Sequence, residues 1–354
     1  MADSFEHWLA YLFLSPNVET WSSGFDDLLA GWQLEACHRL LNEAKRHADE
    51  HPEWIPRIQT CEARWWLQRG DWARAEVNYY AALDALDDDD ERELYHITAD
   101  LGLIQRLRGE LNKALHNHHL CLTLAAQNGW RAGEAESHIQ LGLDYEMMGD
   151  LRQAEQQLLQ AERLYRELDD PVQIALTRKS LALIVIGLRQ YERARELLIE
   201  ALPILEAQNE LLHVAQAYGN LGNLTVHAEE FEAARGWYRQ ALERFQALDA
   251  QLEICGLLNN LAGIAYYEER YAEASELYAE ALQRARDLGS ASDERNTLMN
   301  LALLHMQQSS YGEAARICRA ALRLSYRLGD RRMVFQLVGR WLRLQLILVL
   351  KRWT

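Results

Sequence analysis

Gly219–Arg244, GNLGNLTVHAEEFEAARGWYRQALER, holds the pattern of which the rest of the chain is a variation. Read at helical spacing, Leu221, Gly222, Phe231, Ala234, Tyr238, Ala241 and Leu242 form one apolar surface shared between two short helices. The surface recurs on a step of about forty residues, and a period of that size marks a stacked array. Each copy is too small to bury its apolar face alone, so neighbouring copies must cover one another.

The copies align column by column. Leu101, Leu141, Leu181, Leu221, Leu261 and Leu301 share a register and are followed by Gly102, Gly142, Ala182, Gly222, Ala262 and Ala302. Ten positions on stand Leu111, Leu151, Tyr191, Phe231, Tyr271 and Tyr311, and then an unbroken column of Ala114, Ala154, Ala194, Ala234, Ala274 and Ala314. Alanine suits that place because two helices that cross closely need a side chain too small to wedge them apart. A further column holds Cys121, Ala161, Ala201, Ala241, Ala281 and Ala321, with leucine next in every copy except at Glu162.

This order, Leu-Gly/Ala, a large residue, Ala, a large residue, Ala-Leu, resembles the tetratricopeptide repeat from roughly Trp54 to Leu328. The resemblance implies an all-α solenoid, a right-handed superhelix of antiparallel helix pairs. The usual repeat of that family is about thirty-four residues long. The longer step here is similar to that of kinesin light chains and bacterial Rap-type peptide receptors. Three parts are expected: an irregular helical cap or decayed repeat over 1–52, seven repeats over 53–330, and a basic, apolar capping helix over 331–354.

Within the first part, helical patterns run over Ser4–Phe13 and Phe25–His47, on either side of a loop with Ser15-Pro16-Asn17. Asp3 and Glu6 precede the apolar Trp8–Leu14 and no basic segment leads it, so a signal peptide is not expected. The first clear repeat turns at Gly70-Asp71-Trp72, and glycine there, at Gly109 and at Gly149 permits the left-handed geometry that closes a helix. Arg189, Glu229, Glu269 and Ser309 stand in the same place later, where the turn is either slightly strained or differently built. Asp87–Asp90 reads as a solvated linker, and Pro203 predicts a local kink inside a helix.

Composition narrows the function. A formal charge of −16 argues against nucleic acid, which requires a basic face, and against broad adsorption to an anionic membrane. The five cysteines are scattered with no C-x-x-C, so they read as reduced packing residues in a cytoplasmic protein. No nucleophile elbow, phosphate-binding glycine loop or H-E-x-x-H motif is present, and an enzyme is not expected. His116 and His119, one turn apart, could share a zinc ion with a third ligand, though spacing alone is weak support; His118 falls in a core column.

The residue before the Leu-Gly pair, Asp100, Gln140, Ser180, Asn220, Asn260 and Asn300 in turn, faces the groove in tetratricopeptide arrays. Relatives that hold extended peptides use asparagine there, and the resemblance carries that role to Asn220, Asn260 and Asn300. An amide supplies both donors and an acceptor, so a row of them can grip a main chain whatever its side chains. The same face adds Asn223, Tyr266 and Tyr267, whereas Lys179 and Arg106 are its sole basic members. The candidate peptide-binding residues are thus Asn220, Asn223, Asn260, Asn300, Tyr266, Tyr267, Gln140 and Lys179, with no catalytic residue, metal or cofactor expected. A scaffold or adaptor holding a segment of a partner polypeptide in the concave groove is the leading reading. Two others stand beside it: a peptide-responsive regulatory sensor of Rap-like or signalling-ATPase-arm type, and an assembly factor that meets a membrane through the basic tail. Pairing of two chains is also open.

Overall fold

The computed structural model describes residues 25–26, 28–29, 33–48, 51–87 and 90–350. The Ser4–Phe13 pattern, the Ser15-Pro16-Asn17 loop and Asp88–Asp89 lie outside the described residues. The chain divides into two compact units, Met1–Leu188 and Arg189–Thr354. All regular elements among the described residues are helical.

In the first unit the helices are α1 (Leu34–His47), α2 (Ile55–Gln68), α3 (Trp72–Asp84), α4 (Glu91–Leu107), α5 (Leu111–Gln127), α6 (Arg131–Met148), α7 (Leu151–Glu167) and α8 (Pro171–Gly187). In the second they are α9 (Tyr191–Ala207), α10 (Leu211–His227), α11 (Phe231–Ala247), α12 (Gln251–Tyr267), α13 (Tyr271–Asp287), α14 (Ala291–Gln307), α15 (Tyr311–Arg327) and α16 (Arg331–Leu350). Gln33 stands at the N-cap of α1, so the pattern read as one helix from Phe25 to His47 is broken before Leu34. Phe25 and Leu28 are nonetheless buried against the α1–α2 core with Leu40 and Trp65.

Each forty-residue copy consists of two equal halves, because helices begin at residues 91, 111, 131 and so on to 331. The turns are equally regular. Gly109 (φ 77°), Gly129 (φ 68°) and Gly149 (φ 82°) are left-handed, and so are Asp169, Arg189 (φ 63°), Asn209, Glu229 (φ 61°), Asp249, Glu269 (φ 60°) and Ser309 (φ 58°). In a representative turn the Glu110 amide donates to the Gln105 carbonyl at 2.8 Å and that of Gly109 to Arg106 at 2.9 Å, which satisfies carbonyls the helix end would otherwise leave open. The later copies therefore accept the strained alternative, at about 1 kcal/mol for a left-handed residue with a side chain. Aspartates 71, 90, 150 and 170 begin the next helix by accepting from the amide three residues on. Pro203 lies inside α9 without ending it.

Helix crossings set the core. Ala114, Ala154, Ala194, Ala234, Ala274 and Ala314 are wholly buried, as are Ala161, Ala201, Ala241, Ala281 and Ala321. The glycine of the Leu-Gly pair receives a large side chain from the second helix: a Cβ on Gly102 would meet His118 and one on Gly142 would meet Leu158. Glu162, the break in the leucine column, is buried and accepts from Arg166 at 2.8 Å and Arg178 at 2.7 Å, so paired charge occupies the apolar position. All five cysteines are buried and free of disulfides. Along α16, Leu337 and Leu344 are buried in the last core cluster while Phe335, Leu342 and Leu346 are exposed. Among the described residues no helix is long and apolar enough to cross a membrane.

Candidate functional site

The first helices of the copies in the second unit, α10, α12 and α14, carry the candidate amides. Leu221, Leu224 and Thr225 are buried and anchor α10 at helical spacing, which leaves Asn220 half-buried and Asn223 exposed. Ile254, Leu258, Ala262 and Ala265 do the same for α12, with Asn259 and Asn260 half-buried beside them.

These amides are joined from copy to copy. Asn260 Nδ2 donates to Asn223 Oδ1 at 3.1 Å, and Asn300 Nδ2 donates to Asn259 Oδ1 at 3.3 Å. Tyr238, 1% exposed, supports the first pair by donating its hydroxyl to the same Asn223 oxygen at 2.7 Å. Burial drives the Tyr238 phenol above its ordinary pKa, so it stays protonated and remains a donor. Asn220 takes no part in these bonds. Asn259 was not singled out from the sequence, although the doublet Asn259-Asn260 was a visible signal.

Two turns farther along α12 the aromatic residues form a patch. Tyr267, 64% exposed, stacks on Phe231 with centroids 5.7 Å apart and meets Tyr266 edge-on at 5.7 Å. Tyr266 in turn lies 6.0 Å from Tyr271. Arg235 pairs with Glu268 below this patch, and Arg270 pairs with the same carboxylate and with Glu273.

Gln140 and Lys179 belong to the first unit, on α6 and α8. Gln140 is engaged by Arg106, which donates to its side-chain oxygen at 2.7 Å and its carbonyl at 3.2 Å. Arg106, expected on the groove face, is buried and also donates to Asp144 at 3.2 Å. The other Asp144 oxygen lies 2.5 Å from His118 Nδ1, and Asp144 has no exposure. The Arg106–Asp144–His118 cluster thus uses charge as a packing element; a lone arginine or aspartate at these positions would be costly. Lys179 is half-buried, and burial lowers its pKa below the ordinary lysine value. His116 and His119 are exposed, and among the described residues no group of three or more His, Cys, Asp or Glu side chains could hold a metal ion.

The pattern of known proteins agrees with this architecture. Two family models described as tetratricopeptide repeat match, over residues 173–247 and 255–288. No curated protein matches the chain. Among solved structures, the apo form of RapI is similar over 93% of this chain and 97% of its own, at 15% identity and a TM-score of 0.66. A Rap protein complexed with competence and sporulation factor is similar over 94% of this chain and 98% of its own, at 13% identity and a TM-score of 0.60. A signal transduction ATPase with a tetratricopeptide repeat sensor, from Pyrococcus horikoshii, is similar over 94% of this chain but 54% of its own, at 14% identity and a TM-score of 0.66. At such identities the likeness to these structures concerns the fold alone. Residues 173–247 and 255–288 are thus tetratricopeptide repeats, and the same alanine columns, Leu-Gly/Ala pairs and twenty-residue helix spacing continue on either side of them.

Proposed function

We propose that this protein binds a segment of a partner polypeptide along the groove-facing helices of its repeats, with the amides of α10, α12 and α14 gripping the partner's main chain. The observation that carries this reading is the pairing of Asn223 with Asn260 and of Asn259 with Asn300. An amide has two donors and an acceptor with two lone pairs, so each paired residue keeps capacity for a ligand while its partner holds it in place. Packed helices stand about 10 Å apart and an extended chain rises about 3.3 Å per residue, so one copy corresponds to roughly three ligand residues. Amides already ordered by one another and by Tyr238 lose little further freedom on binding. Tyr267 and Phe231 offer an aromatic platform for an apolar side chain of the same segment.

Selection from a random peptide library provides ligands for the test. Replacing Asn223, Asn260 and Asn300 together by alanine removes at least three hydrogen bonds of about 1 kcal/mol each, which corresponds to roughly a hundredfold loss of affinity. Asn220→Ala alone separates the paired amides from the wider column. Undiminished affinity in the triple variant, with an undisturbed melting curve, would remove the amides from the binding surface.

Likeness to the Rap protein complexed with competence and sporulation factor favours a second reading, a sensor that answers to a small peptide. The two readings differ in what binding does to the chain. Hydrogen exchange with a selected peptide should slow only beside the ligand for a passive scaffold, whereas a sensor should change protection in helices that the ligand does not touch.

A further inference from the structure

The first unit contains a cavity of about 820 Å³ bounded by α4, α5 and α6. That volume is within the range of small-molecule sites. One part of its wall is aromatic and apolar: Tyr95 meets Trp130 edge-on at 6.1 Å and His96 at 5.3 Å, with Leu103 and Ala99 beside them in the lining. The Tyr95 ring is held there because its hydroxyl donates to the Gly133 carbonyl at 3.0 Å.

The polar groups of the lining are unevenly committed. Asp100 accepts from Tyr79 at 2.8 Å and from Arg64 at 3.3 Å, and Glu136 accepts from Gln140 at 2.6 Å. Asp100 is therefore compensated by Arg64, whereas Glu136 is exposed and bonded to a neutral amide. Two exposed arginines, Arg92 and Arg131, stand in the lining, and Arg131 pairs with Glu134 at 3.1 Å. Deeper in, Arg106 is buried and already paired with Asp144, and His118, 1% exposed, borders the lining with its Nε2 packed against Gly102 and without a hydrogen-bond partner among the described residues. A chain of net charge −16 thus carries, in one concavity, an exposed arginine, Arg92, beside flat aromatic faces.

We infer that this cavity is a binding site for a small organic anion with a flat aromatic body, the ring lying against Tyr95 and Trp130 and the anionic group turned toward Arg92. The site is separate from the proposed peptide-binding amides, which belong to the second unit, so either can fail without the other. Arg92 supplies attraction that salt screens, and the aromatic wall supplies burial that salt does not weaken.

Anilinonaphthalene sulfonate, an aromatic anion that brightens when removed from water, is a suitable probe of the full chain. Saturable binding of one molecule per chain is expected. Ala99→Trp, which fills the cavity, should weaken it about tenfold or more, a change of about 1.4 kcal/mol. Arg92→Glu, an exposed substitution, should weaken it about threefold in low salt and less in high salt. Phe335→Ser on α16, which removes an exposed apolar residue of the other unit, should leave it unchanged. Absence of saturable binding, binding indifferent to Arg92→Glu, or binding abolished by Phe335→Ser would each overturn the assignment. If Ala99→Trp does not fold, Arg92→Glu decides the matter alone.

Discussion

Tyr238 lies so close to Gly222 that a Cβ on the glycine would stand 2.4 Å from the ring, and from there its hydroxyl reaches Asn223 Oδ1 at 2.7 Å. One glycine therefore governs both a helix crossing and the orientation of the Asn223 amide. Gly222→Ala should cost about 1–3 kcal/mol by overpacking, read from urea denaturation. The same variant should bind a selected peptide more weakly, because a displaced ring no longer supports Asn223.

Ala234 is fully buried where α10 crosses α11. Ala234→Leu should cost about 1–3 kcal/mol for the same reason. In an array each copy touches only its neighbours, so hydrogen exchange should quicken first in α10 and α11. Equal acceleration across every helix would contradict that local response.

Glu162 replaces the leucine of the other copies and is held by Arg166 and Arg178. Glu162→Ala should cost about 1.5–3 kcal/mol, the usual loss for charged hydrogen bonds at a buried site. Glu162→Leu should cost less, since regained apolar burial offsets the lost pairing. Chemical denaturation of the two variants side by side tests the order.

Lys179 has its pKa lowered by burial from the ordinary 10.5. The folded state thus holds this proton less tightly than the unfolded chain, and the group opposes folding wherever it is charged. That cost is complete below the folded pKa and vanishes as pH rises through 10.5. Lys179→Met should accordingly stabilise the protein at pH 7, with a gain that shrinks in melting curves taken at increasing alkalinity. A constant gain across that range would show that desolvation is not the cause.

Much of the architecture was legible because it repeats. The alanine columns and the Leu-Gly/Ala pairs recur at a fixed step, so a weak local signal was read many times over. Arg189, Glu229, Glu269 and Ser309 show the boundary of that method: the sequence placed a turn at each, but only the backbone shows that all four adopt positive φ. Arg106 marks another boundary. Column logic put it on the groove face, whereas Asp144 and Gln140 draw it into the interior. His118 did follow its column, and its partner Asp144 lies in the next helix pair, out of reach of any local pattern.

The sequence by itself determined the helical class, the repeat length and the positions where helices cross, because apolar periodicity and small residues act through neighbours a few positions away. Only the tertiary structure decided which amides meet, how charge is compensated inside the first unit and where a cavity is left. Asn223 and Asn260 are 37 residues apart in the chain, and their 3.1 Å contact depends on the rotation of one helix against the next. That rotation is set by the summed packing of whole helix pairs, so no single column of residues encodes it.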